Sequence, residues 1–327
     1  MTTTGRFELA AAEAVDGGDF AADVRAGLEA RPRRLSCRWF YDAEGSRLFE
    51  AICGVPEYYP PRAEREILER RAAEILDRVG SVDSVWEFGS GSAVKTRLLL
   101  EPLLREGPAT YVAVDISRSA LEESAASLLG SYPSLRVLAV HGDYEEGLRR
   151  LSGWAQPKLL LWLGSNVGNF DRAEAARFLR RVREALGPAD RLLLGVDLRK
   201  ERATLEAAYD DAQGVTAAFN LNLLARINRE LGGQFDLAGF RHLARYDVVR
   251  GCVDMFLVSR RAQRVRIEGL DLELSFEPGE EIHTESSHKY SREELAELAL
   301  ASELRIDRLW TDDDGRFADL LLAPSDG

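Results

Sequence analysis

The chain has 327 residues, 45% of them apolar and 30% charged, and a formal net charge of −12. That length can bury a large core in one elaborate domain or two, and the acidic balance opposes a nucleic-acid partner, because counterion release at a phosphate backbone needs clustered Lys and Arg. No apolar run approaches a bilayer span, the N-terminus has no signal-peptide core, and Cys37, Cys53, Cys252 and the four histidines show no disulfide or metal-ligand spacing. The expectation is a cytoplasmic protein with no membrane contact and no structural metal.

Residues 1 to about 20 are small and polar and read as a poorly ordered arm. The arginines between Arg31 and Arg38 read as a solvated face. The segment from Trp39 to Glu50 is dense in aromatics around a turn at Gly45, and Pro56-Glu57-Tyr58-Tyr59-Pro60-Pro61 follows. Prolines fix the backbone there and so aim the two tyrosines. Such rings suit an aromatic mini-core, while several converging tyrosine tips also suit a small polar ligand. Residues 62–79 carry Ile67, Leu68, Ile75, Leu76 and Val79 on one face, which predicts a helix.

A βα alternation then begins. Apolar strands are predicted at 84–88, 111–116, 135–140, 159–163 and 191–196, with helices from about 94, 119 and 172 between them. This rhythm implies an α/β fold with a parallel sheet and right-handed crossovers, in which ligands sit beyond the carboxyl ends of the strands. The first strand runs into Gly89-Ser90-Gly91-Ser92-Ala93-Val94-Lys95-Thr96. A P-loop needs glycine directly before Lys-Thr, and Val94 stands there. A dinucleotide fingerprint needs a third glycine, and that position is also Val94. A cofactor without phosphates, such as S-adenosylmethionine, and a plain strand-to-helix turn both remain. Asp115 ends the second strand, 24 positions past Gly91, where an acid can accept from both ribose hydroxyls or cap the next helix, although Ser117 can also cap. Asp143 ends the third strand, as an acceptor for an adenine amino group with Tyr144 against the ring, or as a turn acid. Lys95, placed in the first helical turn, reads either as the partner of a methionine carboxylate or as a surface lysine.

After Asp197 the rhythm changes. Residues 200–231 read as mostly helical, and short alternating strands such as 253–258 and 264–267 suggest an antiparallel sheet. A helix at 292–301 and strands near 305–310 and 317–322 return to the first style. The domains expected are an N-terminal arm (1–61) serving the substrate domain, the sheet domain (62–198), an inserted substrate domain (199–289), and a return to the sheet domain (290–327).

Five blocks of this chain together resemble the L-histidine Nα-methyltransferases of ergothioneine biosynthesis, which use S-adenosylmethionine. The blocks are Tyr41-Asp42 through Gly45-Ser46 to Phe49-Glu50; Pro56-Glu57-Tyr58-Tyr59 with Arg62 and Glu64; Gly89-Ser90-Gly91-Ser92 with Lys95-Thr96; Gly164-Ser165 with Gly168-Asn169-Phe170; and Gly214 through Asn222 with Glu285, Ser287, Lys289 and Tyr290. The resemblance implies a class I (Rossmann-like) methyltransferase sheet with an inserted α+β substrate-binding domain. It implies that Tyr58, Gly89, Ser90, Gly91, Lys95, Asp115, Asp143 and Tyr144 hold the cofactor. It implies further that Asn169 and Tyr209 hold the amino and carboxylate ends of the amino acid, that Glu285 and Ser287 read the imidazole, that Met255, Thr216 and Gly164 line the site, and that Tyr41 and Phe49 lie near the amine. Tyr41, Asn169 and Tyr209 are the residues it places closest to the chemistry. Phe88 and Trp162 depart from the family pattern by their bulk, and Tyr144 replaces a common phenylalanine.

The activity implied is trimethylation of the α-amino group of L-histidine to hercynine by a monomer, with histidine and its methylated intermediates as the small-molecule partners and no metal. The alternatives are the same chemistry on tryptophan or tyrosine, a binding protein that senses its ligands without turnover, and a nicotinamide-dependent oxidoreductase, which would need the missing third glycine.

Overall fold

Val85-Trp86-Glu87-Phe88 is an apolar run broken by one acid, and it forms a strand buried on both faces. Strands of this kind belong at the centre of a parallel sheet covered by helices. The computed structural model describes residues 3–11, 20–154 and 157–325. In chain order these residues form β1 (Thr3–Thr4), β2 (Phe7–Ala11), α1 (Phe20–Glu29), β3 (Arg33–Arg34), α2 (Ala43–Cys53), α3 (Pro60–Val79), β4 (Ser84–Phe88), α4 (Arg97–Glu106), β5 (Ala109–Asp115), α5 (Arg118–Ser131), β6 (Leu135–His141), α6 (Tyr144–Ser152) and β7 (Lys158–Trp162). There follow α7 (Arg172–Ala185), β8 (Arg191–Asp197), α8 (Arg202–Tyr209), α9 (Val215–Leu231), β9 (Phe240–Asp247), β10 (Cys252–Ser259), β11 (Gln263–Ile267), β12 (Leu272–Phe276), β13 (Glu281–His288), α10 (Arg292–Ala301), β14 (Leu304–Thr311) and β15 (Phe317–Pro324).

The described residues divide into two units. The first takes its members from residues 3–11, Pro60–Arg199 and Lys289 onward. Its sheet has the order β1-β2-β6-β5-β4-β7-β8-β15-β14, nine strands among the described residues. β2 to β8 are parallel, while β15 runs antiparallel to β8 and β14 antiparallel to β15. The chain builds outward from β4 through β5 to β6, then crosses back to lay β7 on the other side of β4. That reversal opens a crevice at the carboxyl end of β4, where ligands of such sheets bind. This is the expected α/β arrangement, a mostly parallel sheet that reverses its strand order at β4.

Two expectations about the chain's start are corrected. Residues 3–11 belong to the first unit, not to a substrate-binding arm, because β2 pairs in parallel with β6, Leu9 opposite Ala139. The β6 edge has a row of unpaired N–H and C=O groups, and even a short segment of small residues can occupy it. The rest of the expected disordered arm, 12–19, lies outside the described residues. The unit boundaries fall after Tyr59, Arg199 and His288, within two residues of those expected.

The bulk of Phe88 and Trp162 is absorbed in the core. Trp162 lies 5.0 Å from Phe178, 5.5 Å from Tyr144 and 5.7 Å from Phe170, ring centre to ring centre. Phe88 fits because residue 147 is glycine: a Cβ there would come within 2.7 Å of the Phe88 ring. Tyr144 is thus also a wall of this aromatic core.

The second unit comprises the described part of Gly18–Tyr59 and Lys200–His288. Its four-stranded sheet has the order β3-β13-β10-β9, antiparallel except for the β3–β13 pair, and a β11–β12 hairpin stands beside it. β9 alternates buried and exposed residues, with Phe240, His242, Ala244 and Tyr246 inward, the pattern of a half-buried strand. Arg33, expected on a solvated face, is 2% exposed. Burying a guanidinium is tolerable only when its donors are satisfied, and here it donates to Glu280, to the carbonyls of Leu28 and Ser275, and lies 4.6 Å from the Phe276 ring centre.

The inserted segment leaves and rejoins the first unit at one place. Arg199 N–H donates to the Tyr290 carbonyl (2.9 Å), Tyr290 N–H donates to the Asp197 carbonyl (3.1 Å), and the Lys289 ammonium meets the Asp197 carboxylate at 2.9 Å with both side chains fully buried.

A second buried ion pair in the first unit joins Lys158 to Asp190 at 2.6 Å, and Asp190 also accepts the N–H groups of Lys158 and Gly187. Removing one partner of such a pair strands the other charge. Asp190→Ala is expected to lower the unfolding free energy by ~3–5 kcal/mol, measurable by urea denaturation. A loss below ~1 kcal/mol would show that the pair is dispensable.

Candidate active site

The first constellation surrounds the carboxyl end of β4. Gly89 and Gly91 have φ of +69° and +48°, conformations that side chains rarely adopt. A Cβ at Gly89 would lie 2.7 Å from Asn166 Nδ2 and 3.2 Å from Tyr144 Oη, so the loop leaves room there for nothing larger than hydrogen. Gly89 N–H donates to the Val114 carbonyl at 2.8 Å, which fixes the turn, and Ser90 is buried within it.

Asp115 accepts Gly91 N–H on one oxygen and Ser117 N–H on the other, each at 2.8 Å. Burial raises its pKa against these hydrogen bonds. Ser117 caps α5, so Asp115 is not needed as the cap. Asp143 caps α6, accepting the N–H groups of Glu145 and Glu146 on Oδ1.

Lys95 is not in the first turn of α4, which starts at Arg97, but in the turn before it. Its ammonium is held by the Glu64 carboxylate. Burial works against the Lys95 charge, but Glu64 outweighs it and raises the pKa. Glu64 is fully buried and also accepts Gly164 N–H, at 2.8 Å to Oε1 and 3.0 Å to Oε2. It reaches that position past Gly195, where any Cβ would collide with Oε1. Beside it Asp319 is fully buried with no hydrogen-bond partner on either oxygen, and burial together with the Glu64 charge holds its pKa well above the usual carboxylate range. Gly164 and Ser165 turn the chain with φ of +74° and +61°, and the Ser165 hydroxyl accepts Asp197 N–H. Asn169 closes the short 3-10 turn that follows.

Glu87 lies inside β4. Burial pushes its pKa up to about 7, although the hydroxyls of Thr96 and Tyr111 both donate to it. No role was expected for Glu87 or Glu64. The signal for Glu64 was its spacing: it shares a helix face with Ile67 and Leu68 at i+3 and i+4, where an acid must find a partner.

The second constellation lies wholly in the second unit. Asp42 caps α2 by accepting Gly45 N–H at 2.7 Å, and Asn222 and Arg229 donate to the same carboxylate. Burial raises the Asp42 pKa, but these donors win and lower it. Tyr41, one residue earlier, presents its ring to Phe49 (5.7 Å, 75°) and to Phe219 (5.9 Å, 64°). Phe219 was not expected among the site residues, although it stands in the Gly214–Asn222 block.

Tyr58 was expected with the cofactor residues. Its ring lies 5.9 Å from Tyr209 and 6.4 Å from Phe49. Burial raises its pKa well above the ordinary value, with Tyr209, Cys53, Glu285 and Tyr41 adding to the rise. The cause is the tight turn at Val55–Tyr59, whose N–H groups of Tyr58 and Tyr59 bond back to Val55 and Glu57. Glu285 and Ser287 stand two apart on β13 and therefore face one side of the sheet. Met255 is the cross-strand partner of Glu285 at an irregularity in β10. The Ser287 hydroxyl is 2.8 Å from the Tyr209 phenol. Glu285 also adds to the burial that raises the Cys37 thiol to about 12. Thr216 is buried in the first turn of α9, its N–H bonded to Asp211 at 2.7 Å. Among the described residues no group of three or more His, Cys, Asp or Glu is placed to hold a metal ion, and no helix is long and apolar enough to cross a membrane.

The family model of the histidine-specific, S-adenosylmethionine-dependent methyltransferases matches residues 20–324. The chain is 45% identical to the histidine N-alpha-methyltransferase of Mycolicibacterium smegmatis, covering 90% of this chain and 92% of that protein. It is 43% identical to the protein of the same name from Mycobacterium tuberculosis, covering 92% and 94%. It is 34% identical to ergothioneine biosynthesis protein 1 of Neurospora crassa over 86% of this chain, which spans only 32% of that longer protein.

The Glu87 pKa is raised from 4.5 to about 7 in the folded state. Folding therefore draws stability from this group below pH ~4.5 and loses it as pH rises through ~7. Glutamine can accept both hydroxyl donors without a charge. Glu87→Gln should gain stability on the wild type as pH rises from 4.5 to 7, by on the order of 1–3 kcal/mol. Denaturant titrations of both proteins across that range test this; a constant difference would refute it.

Proposed function

The chain belongs to the histidine-specific, S-adenosylmethionine-dependent methyltransferases, and we propose that it trimethylates the α-amino group of L-histidine to hercynine, an early step of ergothioneine biosynthesis. The observation that carries the substrate is the pairing of Glu285 and Ser287 on one face of β13, with the Tyr209 phenol on Ser287. Neutral imidazole is one donor and one acceptor. A carboxylate accepts its N–H and a hydroxyl satisfies the other nitrogen. A site built this way rejects rings that leave its own polar groups unpaired.

The donor set around Gly89 fits S-adenosylmethionine. The positive-φ glycines set the turn, Asp115 suits the ribose hydroxyls, Asp143 and Tyr144 suit the adenine, and Lys95 suits the methionine carboxylate. When bound, this co-substrate supplies an electrophilic methyl group by in-line displacement at its sulfonium, so that an N–C bond forms as the C–S bond breaks. The protein's part is alignment, which can account for roughly 7–11 kcal/mol of barrier. Within the second unit, Tyr209 holds the carboxylate end of the amino acid. The Tyr58 ring meets those of Tyr209 and Phe49. The amine sheds a proton before each transfer, and a water held by Tyr41 can take it to solvent. The product carries a permanent positive charge. The ring faces of Tyr41 and Phe49 can solvate it by cation–π attraction.

Incubation with S-adenosylmethionine and single amino acids, read by mass spectrometry, tests the proposal. A gain of three methyl groups on histidine is expected, and no gain on histidine, or a preference for tryptophan or tyrosine, would refute it. Glu285→Ala should reduce kcat/KM for histidine by at least ~100-fold, far more than for an aromatic amino acid.

A further inference from the structure

Tyr209 is the last residue of α8, so its carbonyl has no partner within the helix. His242, 8% exposed on β9, supplies one: its Nε2 lies 2.7 Å from the Tyr209 carbonyl oxygen. Its other nitrogen, Nδ1, lies 2.8 Å from Asn220 Nδ2 on α9. The same Asn220 Nδ2 is 3.1 Å from the Phe256 carbonyl, where the β10–β13 register shifts beside Met255. A carbonyl only accepts, so the Asn220 amide must present its NH2 to both partners. Nδ1 of His242 is then an acceptor, and the ring proton sits on Nε2, donating to Tyr209. One neutral tautomer accounts for these three bonds, while Asn220 Oδ1 is buried without a hydrogen-bond partner. A second proton would set Nδ1–H against the Asn220 NH2.

From this network we infer that His242 is a positioning residue for amino-acid binding: it fixes the backbone at Tyr209 and, through Asn220, the β10 backbone at Phe256, next to Met255. The inference rests on the histidine methyltransferase reading. Groups with charge near the ring are Asp210 and Asp211, just past α8; α9 and β10 face it with Asn220 and the Phe256 carbonyl. Burial holds the His242 pKa below its ordinary value against the Tyr209 carbonyl and these two carboxylates, in keeping with the neutral ring. Every member of the network lies in the second unit.

Two substitutions separate the bonds. The amide of glutamine reaches about where Nε2 lies and can still donate to Tyr209, whereas that of asparagine reaches about where Nδ1 lies and cannot. His242→Asn should raise KM for histidine about tenfold, the size of one hydrogen bond, with kcat changed less and the dissociation constant for S-adenosylhomocysteine unchanged. His242→Gln should stay within about threefold of the wild type, because the critical donor is kept. Equal effects from the two variants, an unchanged KM, or a matching loss of S-adenosylhomocysteine affinity would overturn the inference, as would a fall in melting temperature with KM intact. Should His242→Asn fail to fold, nitrogen-15 spectra of the wild-type histidines decide. The signal that vanishes in His242→Gln must report a neutral ring protonated on Nε2 at pH 7, and any other form overturns the assignment. Wild-type enzyme inactive on histidine would instead sink the parent reading, and this inference with it.

Discussion

The Glu64 carboxylate is the constraint on which the first unit's chemistry turns. A buried carboxylate is expensive unless paired and hydrogen-bonded, and Glu64 meets both conditions by recruiting parts that are distant in sequence. Lys95 comes from the loop after β4 and Gly164 from the loop after β7, the two strands that flank the sheet's reversal point. Gly195 on β8 must lack a side chain to admit it, and Asp319 on β15 carries its carboxyl with no partner so close to that charge. One acid on α3 thus ties down two loops and adds to the burial that raises the pKa of a neighbour.

The second unit solves a different problem. It has to hold a carboxylate, hydroxyls and ring faces in a fixed relation to one another. Regular structure does most of this: β13 aligns Glu285 and Ser287 by its two-residue period, and the cap at Asp42 starts the helix that carries Phe49. The rings of Tyr41, Phe49, Tyr58, Tyr209 and Phe219 then brace one another edge to face or tilted. Rigid aromatic walls lose little conformational freedom on binding, since each ring has few torsions to fix.

The sheet was readable because its cues are local. Apolar runs of fixed length, glycines at strand ends and capping serines and aspartates each announce themselves within a few residues. The features that escaped depend on long-range pairing. β2 joins the sheet because an edge was open at β6, which no short segment reveals. Lys95 looked like a helical residue, yet its partner lies 31 positions upstream. His242 carried no spacing signal, because its partners Tyr209 and Asn220 are 33 and 22 positions away. The substrate was legible only through several blocks taken together; any one of them is compatible with many proteins.

The hydrogen-bonded join at Asp197–Arg199 and Lys289–Tyr290 has a broader meaning. Because the inserted segment departs and returns through neighbouring backbone, sealed by the Lys289–Asp197 pair, the sheet meets it as a closed loop with a short, fixed stem. Closing a loop costs only logarithmically more as it lengthens, so the stem tolerates inserts of very different size and content. The insert can therefore change in length and sequence while the nine-stranded sheet keeps its own pairing.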